Sequence, residues 1–372
     1  MARPLIVDAD GHVIEPYDMW PKYLPARYRN LGPRQAYDDM GRKGVLLGDQ
    51  LLMSTRLPTP DEGMAVQSRP GGYDPRARVQ DLDEEGIDSA VMFTTMGLRF
   101  AGVGDPGLAG ALCCAYNDWL ADFCRVAPDR LIGVALAPLQ DVDAAIVEAQ
   151  RAVGTLGFRG VTVRPNPVLG RMLSHPAYDR LWAAMEELGV PLCIHEGQTQ
   201  NVPSTGDDRF QNHWMRHVVS HPQESQMTCL ALIGGGVLER FPKLRVGFFE
   251  SGVGWLAHWL ERMDEHVEHF RWEVQGLQLK PSEYFQRQCF ISADPLERTL
   301  PAMAELVGDD VIVWATDYPH PDGLFPGAAR AIAGRTDVPE ESLQKILGEN
   351  AAREFGLKAP LRGGKRTIAK RR

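Results

Sequence analysis

The chain has 372 residues, 44% hydrophobic and 24% charged, a globular balance with length for one large α/β domain or two ordinary ones. Its formal net charge of −9 argues against nucleic acid or an anionic membrane as the main partner. No apolar run approaches the ~18 residues of a membrane span, and the six cysteines lack metal-ligand or disulfide spacing. A soluble, cytoplasmic protein with reduced thiols is the expectation.

The first strand, about 5–9, ends in Asp8-Ala9-Asp10-Gly11-His12. Alternate side chains of a strand share a face, so Asp8, Asp10 and His12 can point the same way. Asp10 and His12 then make a clamp suited to a divalent cation; an Asp-Gly turn beside a bystander histidine is the bland alternative. Residues 13–75, rich in Pro, Gly, Arg and Tyr, read as an insertion that forms a lid or dimer contact, with a short hairpin near Gly44–Met53. Further strands follow at about 88–94, 131–137, 159–164, 190–195, 244–249, 288–292 and 311–316. Helices are expected at 76–86, 107–126, 141–155, 174–188, 223–240, 254–270 and 295–307, with a closing helix at about 339–355. Residues 196–221 read as a polar loop carrying His213, His217 and His221. Residues 1–360 are taken as one domain. The tail Leu361–Arg372, with six basic residues and no acid, is read as a solvated end.

Continuous apolar strands alternating with helices imply parallel strands buried on both faces. Eight such units predict a distorted (β/α)₈ barrel, with its site at the C-terminal ends of the strands. The rival, an open doubly wound sheet, would want a Gly-rich phosphate turn after the first strand, and Asp10-Gly11-His12 is not one.

Three strands from different parts of the chain end in ligand-type residues: Asp10-Gly11-His12, His195-Glu196-Gly197 and Thr316-Asp317-Tyr318-Pro319-His320. A single terminal histidine is usually structural, but three such ends on one rim favour a metal site. Asp10, His12, His195 and Asp317 would hold the ion and leave a position for water or a substrate oxygen. Oxygen and imidazole donors without thiolates suit Zn²⁺, Mn²⁺ or Fe²⁺. Asp317 is also placed to take the proton of a bound water.

Longer motifs add a resemblance. Beside Asp10-x-His12 stand Tyr116-Asn117-Asp118-Trp119-Leu120, Gly160-Val161-x-x-Arg164-Pro165 and Phe241-Pro242-x-Leu244-Arg245-Val246. Asp317-Tyr318-Pro319-His320 and Ile346-Leu347-Gly348-Glu349-Asn350-Ala351-Ala352-Arg353 complete the set. Over nearly its whole length the chain resembles the amidohydrolase superfamily, in the branch that includes aminocarboxymuconate semialdehyde decarboxylase and γ-resorcylate decarboxylase. The resemblance implies a distorted barrel with one divalent ion, Zn²⁺ first and Mn²⁺ as the close alternative, held by Asp10, His12, His195 and Asp317. It also implies a small-molecule substrate and a homodimer or higher oligomer.

Two positions depart from the family pattern. Asp10 stands where relatives commonly use His or Glu, and Glu250 stands where the decarboxylases place a catalytic histidine after the sixth strand. A carboxylate replaces an imidazolium at neutral pH only if burial raises its pKa. His221, read as starting a helix before Pro222, is the substitute imidazole or simply a helix-start residue. Arg164 is a candidate clamp for a substrate carboxylate or a salt bridge beneath the site. His320 and Trp255 are further substrate-binding candidates, Asn117 and Trp119 brace the barrel, and Glu196 supports His195 from behind. The first functional reading is a metal-dependent hydrolase, with Asp317 activating water and His221 or Glu250 protonating the leaving group. The alternatives are a non-oxidative decarboxylase of an aromatic or enolic acid, and a metal-retaining binding protein without turnover.

Overall fold

The computed structural model describes residues 3–37, 43–54, 69–197, 202–274 and 276–357; the basic tail lies outside the described residues. Eight parallel strands form one sheet in chain order: β1 (Val7–Val13), β5 (Ser89–Thr94), β6 (Leu131–Leu136), β7 (Gly160–Val163), β8 (Leu192–His195), β9 (Val246–Phe249), β10 (Cys289–Ala293) and β11 (Ile312–Trp314). The ring closes at its C-terminal rim, where Asp317 N–H donates to Asp10 O (3.0 Å) and His12 N–H to Tyr318 O (2.6 Å). The sheet is a nearly closed (β/α)₈ barrel, as the alternation predicts. Between β1 and β5 the insertion folds into an antiparallel sheet of β2 (Pro33–Tyr37), β3 (Lys43–Leu47) and β4 (Gln50–Ser54), which contains the expected hairpin.

Helix starts follow from short acidic side chains. Asp74, Asp105 and Asp141 each accept backbone N–H groups of the first turn, ahead of helices Pro75–Glu85, Pro106–Cys124 and Val142–Gly154. Side chains on the two faces of the strands build two cores. One fills the space between strands and helices. The other lies inside the barrel, where Val7, Ala9, Val91, Val134, Phe249, Phe290 and Val313 pack with Ala351 and Phe355 of the C-terminal segment. Phe93 tops this plug, 4.9 Å from Phe249 between ring centroids and 5.3 Å from His195, so the site rests on an aromatic floor. Asn117 ties its helix to β6 through both backbone polar groups of Leu136, which is the bracing expected of it. No helix of the described residues is long and apolar enough to cross a membrane.

Two expectations need correction. A helix over Pro281–Gln288 precedes β10 and was not expected. More consequentially, the stretch read as loop to residue 221 is helical from His213: Asn212 caps the helix His213–Gly234 by accepting from Met215 N–H at 2.8 Å. Pro222 does not start this helix but lies within it. The ring removes the bond that would reach the carbonyl of Val218, an exposed residue whose carbonyl water can serve. His213, His217 and His221 therefore stand on successive turns of one helix.

Candidate metal centre

The centre begins with an irregularity in β1. Its pairing with β5 slips between Asp8 and Gly11, so one extra residue is accommodated there. Asp8, grouped with Asp10 and His12 in the sequence reading, separates from them. Its carboxylate accepts from Thr316 N–H (2.9 Å) and Thr316 Oγ1 (2.6 Å), fixing the turn that carries Asp317. Asp10 and His12 instead meet His195 across the barrel.

His12 Nδ1 donates to Thr94 O (2.9 Å) and His195 Nδ1 to Glu196 O (2.7 Å). A carbonyl only accepts, so both Nδ1 atoms carry hydrogen and both Nε2 atoms are left to face inward. The two Nε2 atoms lie 3.1 Å apart. Asp10 Oδ1 is 3.3 Å from His12 Nε2 and its Oδ2 is 3.3 Å from His195 Nε2. All three residues are fully buried, and neither Asp10 oxygen has a hydrogen-bond partner. Two converging lone pairs beside an unpartnered buried carboxylate are costly unless a cation sits among them. Neighbouring ligands at ~2.1 Å from one ion stand roughly 3 Å apart, so these residues fit a divalent cation. Without the ion a proton takes that place: burial lowers the His195 pKa, but Asp10 and then Glu250 outweigh it and push it up to about 9.

Asp317 follows β11 with φ +53°, and Glu250 follows β9 with φ +47°. Both hold the left-handed backbone that non-glycine residues seldom adopt, as residues at functional sites often do. Asp317 Oδ1 lies 3.4 Å from His12 Nε2 and 2.8 Å from His320 Nδ1. Burial, then the nearby carboxylates of Glu250, Asp322, Asp10 and Asp294, hold its carboxyl well above the usual range. His320 stacks on His12 at 4.1 Å and reaches Thr95 Oγ1 at 2.9 Å. Burial, with His12 beside it, pushes its pKa down to about 3, so the ring is neutral.

Glu250 places Oε1 3.2 Å from His221 Nε2 and Oε2 3.6 Å from His195 Nε2. Burial opposes its ionisation, but the imidazoles of His221 and His195 hold its carboxyl well below the carboxylate range. Glu250 is thus an anion and not a stand-in for the missing imidazolium. His221, buried in the same cavity, is the imidazole at this place.

Two substrate-binding candidates are displaced by the structure. Arg164 is buried, and its guanidinium donates to Asn166, Leu98 O, Gly197 O, Ser204 and Glu196, the last at 2.7 Å. Its donors are committed within the protein, so it is the supporting salt bridge and not a free clamp. Glu196 pairs with Arg164 through Oε1, and its Oε2 lies 3.8 Å from His221 Nε2. Trp255 packs edge-on against Phe248, which faces the helix layer rather than the barrel interior. Three rim residues, His217, Asp322 and Arg99, were not assigned to the site by the sequence reading. His217 Nε2 approaches Asp322 Oδ2 (3.2 Å) and Glu250 Oε1 (3.6 Å), and the four-residue spacing from His221 was the available signal. Arg99 donates to Thr95 O (2.5 Å) but has a buried Nε without a partner, and its charge acts on Glu196 and Glu250.

An amidohydrolase family model matches residues 7–357. The chain belongs to that family. Among its curated relatives, 2-amino-3-carboxymuconate-6-semialdehyde decarboxylase of Dictyostelium discoideum is 29% identical over 288 residues, 77% of each chain. γ-Resorcylate decarboxylase of Rhizobium sp. (strain MTP-10005) is 26% identical over 287 residues, 73% of this chain and 86% of the relative. A solved dihydroxybenzoic acid decarboxylase from Polaromonas sp. JS666 superposes with a TM-score of 0.69 at 21% identity, covering 95% of this chain and 98% of its own. That structure holds manganese and the inhibitor 2-nitroresorcinol; at this identity the likeness establishes the shared barrel. The chain is a metal-dependent enzyme of the amidohydrolase superfamily, and the two curated relatives named above are decarboxylases.

Proposed function

We propose that the chain is a non-oxidative decarboxylase of a small aromatic or enolic acid. The observation that carries this reading is the buried convergence of Asp10, His12 and His195 with Asp317, whose Oδ1 lies 3.4 Å from His12 Nε2 and 2.8 Å from His320 Nδ1, in a chain whose two curated relatives named above are decarboxylases. Decarboxylation needs a proton donor at the carbon that loses CO₂, and Asp317 at the rim of the centre stands where it can supply one. When bound by Asp10, His12 and His195, a divalent ion supplies Lewis-acid binding for the substrate's carboxylate and neighbouring oxygen. Manganese in a similar barrel moves Mn²⁺ ahead of Zn²⁺ for this mixed imidazole and carboxylate donor set.

Asp317 gives its proton to the carbon bearing the carboxylate. The C–C bond then breaks, its electron pair returns to the substrate, CO₂ leaves, and solvent reprotonates Asp317. His320 holds Asp317 through Oδ1, and Thr95 fixes the far side of that ring. Glu250, being ionised, serves with His221 in binding and charge placement. Arg99 is the rim guanidinium with donors to spare for a substrate carboxylate. The hydrolytic reading draws less support, since the two curated relatives named above are decarboxylases.

The test is turnover of ortho-hydroxybenzoic and enolic acids in D₂O with Mn²⁺ or Zn²⁺ supplied. Release of CO₂ with one deuterium at the vacated carbon supports the proposal. Entry of ¹⁸O from water into product without CO₂ overturns it.

A further inference from the structure

Beyond the three-residue centre, a second set of donor atoms converges on Glu250. His217 and His221 are spaced i, i+4 on the helix His213–Gly234, which puts both rings on one face. The same two-histidine spacing on a helix is a recurrent way of gripping a metal ion. The rings stack at 4.0 Å between centroids, 23° from parallel. The Nε2 atoms of both aim at Oε1 of Glu250, at 3.6 Å from His217 and 3.2 Å from His221. One donor atom from each of the three residues lies within 4.8 Å of the others. Asp322 Oδ2 stands beside this set, 3.2 Å from His217 Nε2.

Charge supports a cation at this place. The rim gathers the carboxyls of Asp10, Glu250, Asp294, Asp317 and Asp322 close enough for each of the other four to act on Asp317. A single divalent ion at the first centre offsets two of these negative charges, and on the Glu250–Asp322 side Arg99 supplies a further positive charge that acts on Glu250. Protonating both of two rings stacked at 4.0 Å sets like charges face to face. One divalent ion replaces those protons, accepts both imidazole lone pairs and balances both carboxylates.

We propose that His217, His221 and Glu250 form a second divalent-cation site that adjoins the first, with Asp322 supporting His217 from the rim. Glu250 is the shared ligand. Its Oε1 faces the two helix histidines, while Oε2 faces His195 of the first centre at 3.6 Å. The donors are two imidazoles and one carboxylate, so the site takes Mn²⁺, Zn²⁺ or Fe²⁺ and not a thiolate-seeking ion. Asp322 and His217 are partly exposed, which leaves the second position open to exchange. This assignment concerns the metal complement and stands whichever reaction the enzyme performs.

The experiment strips the full chain with a chelator, reloads it at millimolar Mn²⁺ and measures bound metal per chain with low-temperature electron paramagnetic resonance. Two Mn²⁺ per chain with a spin-coupled signal are expected for the native sequence. His217→Ala is expected to bind one ion with an isolated-ion spectrum, and His12→Ala to lose the first site while keeping the second. Should His217→Ala fail to fold, Asp322→Asn at the exposed rim is expected to weaken one of the two ions by roughly tenfold or more and leave the other unchanged. A native chain that saturates with one ion overturns the proposal. So does a His217→Ala variant that folds and still binds two.

Discussion

Nε2 of His12 and Nε2 of His195 stand 3.1 Å apart because each ring is fixed through Nδ1 to a main-chain carbonyl, Thr94 O for one and Glu196 O for the other. The pair is built for an ion, and in its absence His195 keeps a proton to about pH 9. Metal binding must therefore displace that proton. Affinity for Mn²⁺ is expected to rise by up to about tenfold per pH unit between about pH 6.5 and 9 and to level off above. Calorimetry in buffers of different ionisation enthalpy should register the released proton. The raised pKa has a second consequence in the metal-free chain. Its stabilising contribution is complete below the unfolded-state value near ~6.5 and is lost as pH climbs through about 9. The metal-free melting temperature should fall over that window. A proton count of zero on metal binding at pH 7 would contradict the assignment.

Asp317 differs from the other acids at the rim in being both crowded and bonded to His320 at 2.8 Å. Asp317→Asn removes the transferable proton while Asp10, His12 and His195 remain. We expect kcat for CO₂ release to drop by roughly 10²–10⁴-fold, with metal content kept at or above half that of the native chain. Rate and metal assays on the same preparation decide it. Unchanged kcat would remove Asp317 from the proton step.

The barrel and the first centre were legible because both depend on local pattern. Apolar strands alternating with helices identify the barrel, and His195 and Asp317 close strands whose C-terminal ends form one rim. What stayed hidden depends on side chains meeting across the fold. Arg164 looks the same in the sequence whether it faces substrate or Glu196, and only its five protein acceptors decide the matter. Pro222 misplaced a helix start, since a proline within a helix is the rarer case and outweighed Asn212, a favoured cap residue earlier in the chain whose His213–Gly234 helix runs through the proline. That error concealed the alignment of His217 with His221.

The two arginines of the rim should separate cleanly by variant. Arg164→Met leaves the buried Glu196 carboxylate without its partner and is expected to cost about 3–5 kcal/mol of stability, read from urea unfolding. Arg99→Ala removes a guanidinium with unused donors. It should raise KM for the carboxylated substrate by about tenfold or more and shift kcat far less. A KM effect in a folded Arg164 variant that matches Arg99→Ala would return Arg164 to the substrate.

Gly323 lies against the turn that carries Asp317. A Cβ built there would sit 2.7 Å from Thr316 O and 2.8 Å from Asp317 O, and these are backbone atoms that cannot swing aside. Because Asp317 already holds a left-handed φ and is fixed to Asp10 O through its own N–H, any displacement moves its carboxyl relative to His12 and His320. Misplacing a reacting group by about 1 Å costs on the order of 10²-fold in rate. Gly323→Ala is accordingly expected to lower kcat by about 10–100-fold while the barrel stays folded by circular dichroism. Gly104→Ala, at a position where a Cβ meets nothing within 4 Å, serves as the control and should leave kcat unchanged. Equal rates in the two variants would mean that the turn yields freely, and that the position of Asp317 does not depend on the close approach of Gly323.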